Sequence, residues 1–144
     1  MLNSKKIKKY IFLLFLLILI PVKVFAFDTV NQTSAFYVND YANILSHETE
    51  DYIIDHSKSL YNKTGAQIVV VTVPSLDGVS IEEYATSLFR KFGIGEKSEN
   101  NGLLLLLYLD ERLMRVEVGY GLEGLLPDGK TGRFQDDYMI PLFR

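Results

Sequence analysis

The sequence has 144 residues, a formal net charge of −3 and no cysteine. A chain of this length suits one domain with its own hydrophobic core. The absence of cysteine excludes disulfides, thiolate metal sites, cysteine nucleophiles and a lipid-modified cysteine at the N-terminus.

Residues 1–26 have the composition of a secretory signal peptide. Four lysines within residues 5–9 precede an apolar block at residues 10–20, and Val24-Phe25-Ala26 ends the segment with a small residue. This pattern predicts cleavage after Ala26. The alternative is an uncleaved anchor, but the apolar block is shorter than the ~20 residues that a spanning helix needs. We therefore expect an exported protein, extracellular or associated with the cell envelope.

Cleavage after Ala26 would make the protein strongly acidic. Residues 1–26 contain five lysines and no acid, so the other 118 residues carry 10 Lys and Arg against 18 Asp and Glu, a net charge of −8. Such a charge repels phosphodiester backbones and anionic head groups. Nucleic acid is therefore not an expected partner, and membrane contact is expected only through an uncleaved N-terminal segment or a C-terminal region beyond Arg144.

The first half of the chain after this segment contains a leader, a helix, a strand and a second helix. Residues 27–35 are polar and aperiodic, which predicts an extended leader. Ser46 as N-cap and Gly65 as stop bound a first helix. Residues 67–73, rich in β-branched side chains, predict a strand. Ser80 and Glu83 form a capping box that opens a second helix at residues 81–92.

The fold is expected to centre on residues 101–132. The uninterrupted leucines at 103–107 predict a strand buried on both faces in the middle of a sheet. Residues 114–118 alternate apolar and polar side chains, which predicts an antiparallel neighbour nearer the edge, joined by a hairpin. Strand 67–73, the second helix and strand 103–107 form a parallel βαβ unit. Residues 130–140 predict a third helix limited by Pro141. The fold class is therefore α/β with a mixed sheet.

Two glycine patterns in this region resemble nucleotide-binding motifs. Residues 124–131 fit GxxxxGK[ST], but Gly124 lies six positions after Val118, whereas a phosphate loop leaves its strand directly. A P-loop nucleotide binder is a remote alternative, and no nucleotide cofactor is predicted. Residues 119–124 fit GxGxxG, but Pro127 delays any following helix. We interpret these glycines as a tight turn that takes positive φ and approaches other groups closely.

A set of acids is expected near one end of the sheet. Calcium and magnesium prefer carboxylate and carbonyl oxygens, which acids beside glycine-rich turns can supply. The alternative is that Asp128 caps the third helix and that Asp136 and Asp137 face solvent. The set comprises Asp40, Glu123, Asp128, Asp136 and Asp137.

Several segments together resemble the TPM domain family, also called the TPM phosphatase or YgcG-like group. They are Asp40 before the first helix, residues 65–71, 93–95, 101–105 and 115–124, the run from Leu126-Pro127-Asp128 to Arg133, and Ile140-Pro141. The resemblance covers residues 36–144, and V-G-Y-G-L-E-G is its most specific part.

The resemblance implies a three-layer α/β/α sandwich outside the cytoplasm. Relatives usually continue with another helix, so the domain at residues 36–144 is expected to lack its C-terminal end. Members of the family are linked to divalent-cation binding and to acid phosphatase activity. The matched acids are Asp40, Glu123, Asp128 and Asp136, and the matched bases are Arg115 and Arg133.

Two functions follow as hypotheses. In the first, an envelope-associated domain binds Ca²⁺ or Mg²⁺ through Asp40, Glu123, Asp128 and Asp136 and has weak phosphatase activity. Asp40, Asp128, Arg115 and Arg133 are then the catalytic candidates, with the metal activating water and an arginine countering developing charge. In the second, the domain is a noncatalytic adaptor or protein quality-control module that binds envelope proteins through the glycine loop.

Overall fold

In the computed structural model, which describes residues 27–143, a four-stranded mixed sheet lies between two helical layers. The strands are β1 (Val38–Asp40), β2 (Gln67–Val73), β3 (Gly102–Tyr108) and β4 (Leu113–Val118), in the order β1-β2-β3-β4. The first three are parallel, and β4 pairs antiparallel with β3. The predicted hairpin, the parallel unit and the edge position of residues 114–118 are confirmed. The segment predicted as a signal peptide lies outside the described residues.

Local signals in the sequence set the limits of the two long helices. Helix α1 (His47–Thr64) begins after Ser46, whose side chain accepts a hydrogen bond from the Thr49 amide, and ends at Gly65 with φ of 74°. Helix α2 (Ile81–Phe92) begins after Ser80, which accepts from the Glu83 amide. Both N-caps satisfy amides that a helix leaves unpaired. No helix within residues 27–143 combines the length and apolarity needed to cross a membrane.

The C-terminal segment is helical but differs from the prediction. A 3₁₀ turn (Tyr120–Leu122) leads to α3 (Asp128–Phe134), a π-helical turn (Gln135–Met139) and α4 (Ile140–Phe143). The third helix thus begins two residues earlier than predicted, and Pro127, not Asp128, occupies its N-cap without a side-chain bond. The prediction that Pro141 limits the helix is wrong, because the π-helical turn continues directly into α4, of which Pro141 is the second residue.

One sheet face, the α2 face, carries the fully buried core. Alternate side chains of β2 and β3, including Val69, Val71, Leu104 and Leu106, pack there against α2. Burial of these apolar side chains stabilises the packing of α2 on the sheet.

The leader adds to the α2 face. The Phe27 ring stacks on Tyr84 at 6.0 Å between centroids, and the Val30 amide donates to the Tyr84 hydroxyl at 3.2 Å. Lys91 forms an ion pair with Asp28 at 2.7 Å. Burial raises the pKa of the Tyr84 phenol, because its ionised form would lose hydration. Residues 27–35 are therefore a packed part of the domain as well as a connector.

The opposite face, the α1 face, is less completely covered. Val38 and Val70 are buried there, where α1 approaches β1 and β2. Leu103, Leu105 and Val116 on the same face are only half-buried. The prediction that β3 is buried on both faces is therefore wrong for its second face, because α3 and the π-helical turn cover β3 and β4 only in part.

Candidate functional site

Asp40 is the last residue of β1, and its side chain bonds to the loop between β1 and α1. Its carboxylate accepts hydrogen bonds from the Thr72 hydroxyl, from the Ile44 amide at 3.2 Å and from the Leu45 amide at 2.9 Å. A carboxylate that accepts several such bonds orders the backbone that provides them. The geometry gives this candidate catalytic residue a structural role in shaping the entry to α1.

We expect Asp40→Ala to lower the free energy of unfolding by about 1–3 kcal/mol, because it leaves the Thr72 hydroxyl and two amides without their acceptor. Urea unfolding followed by circular dichroism measures the loss. Asp40→Asn retains one acceptor oxygen and should lose less. Asp55→Ala, on the exposed side of α1, is the control, with an expected change below ~0.5 kcal/mol. An Asp40→Ala protein as stable as the wild type would contradict this role.

The glycine-rich exit from β4 packs directly on the loop before β3. The Gly119 amide donates to the Gly102 carbonyl at 2.8 Å, and the Gly121 amide donates to the Asn100 carbonyl at 3.0 Å. A Cβ on Gly121 would overlap the Glu99 carbonyl oxygen. The predicted close approach is confirmed. The predicted positive φ is wrong for Gly119, Gly121 and Gly124, none of which has a positive φ. Gly119 and Gly121 are therefore needed for space and not for backbone conformation.

The sheet register separates Asp40 from this glycine exit. Asp40 pairs with Thr72, which pairs with Leu107, whereas Gly119 follows Val118, the partner of Leu103. Gly119 therefore lies level with Gly102 and Asp40 level with Leu107, five residues apart along β3, which is about 16 Å at ~3.3 Å per residue. Asp40 lies at the carboxyl end of the parallel strands and the glycine exit at their amino end, instead of at one common rim.

The other acidic candidates are on the surface. Glu123, Asp128 and Asp136 are all exposed. Within residues 27–143, no three histidine, aspartate or glutamate side chains form a group that could hold a metal ion. The Ca²⁺ or Mg²⁺ site made of Asp40, Glu123, Asp128 and Asp136 stays a prediction.

The two basic candidates lie on different sides of the sheet. Arg115 is on the α2 face, where its guanidinium bonds to Glu117 at 3.4 Å, and Glu117 also accepts from the Thr86 hydroxyl at 3.3 Å. This network ties β4 to α2. Arg133 is exposed on α3, in the layer over the α1 face. The described geometry does not direct both guanidinium groups to one bound phosphate.

An apolar cleft opens between the α1 face and the C-terminal helical segment. Its volume is about 310 Å³, which falls in the range of small ligand sites. Sequence reasoning missed the cleft, although leucines on both faces of β3 combined with a short third helix were a signal for it. The cleft is lined by Ile68, Leu103, Leu105, Val116, Leu126, Lys130, Thr131, Phe134 and Met139.

The TPM domain profile matches residues 38–144 of the sequence. This chain belongs to the TPM domain family. The identification agrees with the resemblance seen in the sequence, and the sheet with helical layers on both faces confirms the expected α/β sandwich.

Solved structures support the same assignment. The TPM domain resembles the solution structure of the N-terminal domain of a P. gingivalis protein, with 42% identity and a TM-score of 0.69, over 75% of this chain and 69% of that one. It also resembles the N-terminal domain of the cg2496 protein from Corynebacterium glutamicum, with 21% identity and a TM-score of 0.57, over 81% and 76% of the two chains. The second likeness concerns the fold alone. No match was found among the curated proteins.

Proposed function

We propose that this TPM domain is a noncatalytic binding module of the cell envelope, which holds other proteins at the apolar cleft. The observation that carries the proposal is the cleft of about 310 Å³ beside half-buried leucines of β3. An apolar surface of this kind, left open on a folded domain, is typical of interaction sites. The proposed contact surface is the cleft, whereas the adaptor hypothesis drawn from the sequence used the glycine loop.

Exposed aromatic and aliphatic side chains of the C-terminal segment, one of which lines the cleft, support the proposal. Phe134 both lines the cleft and is 55% exposed, and its ring lies 5.3 Å from that of the exposed Tyr138. Tyr120 and Leu125, in the same C-terminal segment, are also largely exposed. Aromatic residues are enriched in protein interfaces, where they give large contact area at low entropic cost.

The candidate catalytic residues give less support to a hydrolase. The Asp40 carboxylate serves the loop before α1, and Arg115 bonds to Glu117. Export and cation binding remain parts of the proposal that rest on the N-terminal sequence and on the family resemblance.

The cleft can be tested with the fluorescent probe anilinonaphthalene sulfonate. We expect one probe molecule to bind the folded domain, and Val116→Phe, which fills the cleft, to weaken binding about tenfold. Ser59→Phe adds the same ring on the exposed side of α1 and serves as the control. A cooperative unfolding transition must accompany binding, because loosely packed states also take up this probe. Equal binding by wild type and Val116→Phe would overturn the proposal.

A phosphatase assay distinguishes the noncatalytic binding module from the alternative that the domain is a hydrolase. Phosphate release from an aryl phosphate, with Ca²⁺ or Mg²⁺ present, should stay at background for the wild type and for Asp128→Asn. Metal-dependent release that Asp128→Asn abolishes would overturn the noncatalytic assignment and favour the hydrolase.

A further inference from the structure

The two edges of the sheet differ in how well they are closed. Strand β1 has three residues. The Tyr37 carbonyl faces β2, so the Val38 carbonyl faces outward, where it accepts from the Thr33 hydroxyl at 3.1 Å. Strand β4 has six residues, and within residues 27–143 its backbone pairs with β3 alone. Unpaired edges are places where a further strand can add, so the β4 edge is the open one of the two.

Alternation along β4 places one set of backbone groups on this free edge. The Gly119 amide donates to the Gly102 carbonyl, which identifies these two residues as a hydrogen-bonded pair. In an antiparallel ladder, hydrogen-bonded and non-hydrogen-bonded pairs alternate. The residues two and four positions before Gly119 therefore bond to β3, and the residues between them direct their N–H and C=O groups outward. The outward-facing residues are Met114, Val116 and Val118.

The side chains of β4 make this edge complementary to itself. Met114, Val116 and Val118 lie on the α1 face and are half-buried. Arg115 and Glu117 lie on the α2 face, with opposite charges two positions apart. When two copies of this strand pair antiparallel about Val116, each Arg115 lies opposite the partner's Glu117, with Cβ atoms about 5 Å apart. On the other face, apolar side chains of the two copies lie opposite one another.

Electrostatics selects this register over its neighbours. Sliding one copy by two residues is the smallest step that keeps the outward backbone groups facing each other. That step places Arg115 opposite Arg115 in one direction and Glu117 opposite Glu117 in the other. Like charges directly opposite one another are destabilising. The register centred on Val116 replaces them with two ion pairs related by a two-fold axis.

Arg115 has unused hydrogen-bonding capacity for such an ion pair. Its Nε is buried and has no acceptor among the described residues. The ion-pair partner that the described chain gives it is Glu117, at 3.4 Å. A guanidinium has five N–H donors, and it forms its strongest bonds when two of them meet one carboxylate. A carboxylate from a second copy would therefore meet donors that the single chain does not use.

We infer that the TPM domain forms a two-fold symmetric dimer in which two β4 strands pair antiparallel. The pairing joins the two four-stranded sheets into one continuous sheet. Val116 lies at the axis, and each Arg115 binds the partner's Glu117. The inference concerns the edge of β4 and does not rest on the proposed function of the cleft.

Charge reversal tests the inference by sedimentation. The wild-type protein should form a concentration-dependent dimer at physiological salt, where repulsion between the acidic chains is screened beyond about 8 Å. Arg115→Glu and Glu117→Arg each place like charges opposite one another, so each should weaken dimerisation at least about tenfold. An equimolar mixture of the two variants should dimerise again, because opposite charges then face each other. Asp55→Arg, at an exposed position of α1, is the control and should leave the dimer unchanged.

Amide hydrogen exchange locates the interface. The amides of Met114, Val116 and Val118 should exchange more slowly when the protein is dimeric than in dilute solution, because pairing gives them acceptors. The amides of Arg115 and Glu117 bond to β3 and should be protected in both conditions. Urea unfolding of each reversal variant checks that it is folded. If a variant does not fold, exchange of the outward amides in the wild type still decides.

Three outcomes would overturn the inference. The first is a wild-type protein that stays monomeric up to about 1 mM. The second is a dimer that both charge reversals leave intact, or folded variants whose mixture does not regain dimerisation. The third is a dimer that Phe134→Ala abolishes and the reversals do not, which would assign the contact to the cleft. Binding of the naphthalene probe is measured separately, so failure of the dimer leaves the proposed function standing, and the reverse holds.

Discussion

Replacing Gly121 by alanine is expected to destabilise the domain by about 3 kcal/mol. The new Cβ would overlap the Glu99 carbonyl oxygen and lie 3.0 Å from its carbonyl carbon. Both are backbone atoms, so no side-chain rotation can relieve the clash. The loop that carries them is held by two hydrogen bonds. The backbone amides of Glu99 and Asn100 donate them to the Glu96 carbonyl, at 3.1 and 2.7 Å. Overpacking against a fixed backbone belongs to the larger effects of single substitutions.

Urea unfolding of Gly121→Ala beside Gly124→Ala measures this effect. A Cβ on Gly124, in the same glycine-rich segment, would meet nothing within 4 Å. Its substitution should therefore change the free energy of unfolding by less than ~1 kcal/mol. Comparable losses for the two variants would show that chain flexibility, and not the contact with Glu99, requires glycine at these positions.

Neighbouring leucines of β3 should respond very differently to truncation. Leu104→Ala is expected to cost about 3–5 kcal/mol, because this fully buried side chain leaves a cavity in the core under α2. Leu105→Ala should cost about 1–2 kcal/mol, because Leu105 lines the open cleft and is already half-hydrated.

Urea unfolding measures the free energy of unfolding of both variants. Equal slopes of this free energy against urea concentration would show that both variants unfold in the same way. Since the two residues are adjacent and chemically identical, strand propensity cancels in the comparison. Equal losses would mean that the α1 face is as well covered as the α2 face, and the cleft would then lose its physical basis.

Elements defined by local signals were predictable from the sequence. Strand β2 and helix α2 have the predicted bounds, because β-branched residues, a serine cap and terminal glycines act within a few positions. Strand β1 was not predicted. It has three residues, too few for a periodic pattern, and exists through pairing with β2 some 30 positions later.

The candidate site was less predictable, because it depends on register and on coverage. The sequence could not show that the parallel strands place Asp40 at one end of the sheet and Gly119 at the other. It also could not show that the Arg115 guanidinium would donate a hydrogen bond to Glu117. The run of leucines in β3 indicates burial, but the depth of burial on each face depends on helices distant in sequence.

The packing of the leader on α2 has a consequence for the order of assembly. The bond between Val30 and Tyr84 joins positions 54 residues apart, and Lys91 holds Asp28 across 63. Contacts that close such long loops incur their entropic cost before they gain energy, so they form late in folding. The first residues of the domain to leave a ribosome or a translocation channel are thus among the last to reach their final positions, and a nascent chain must present Tyr84 before they can dock.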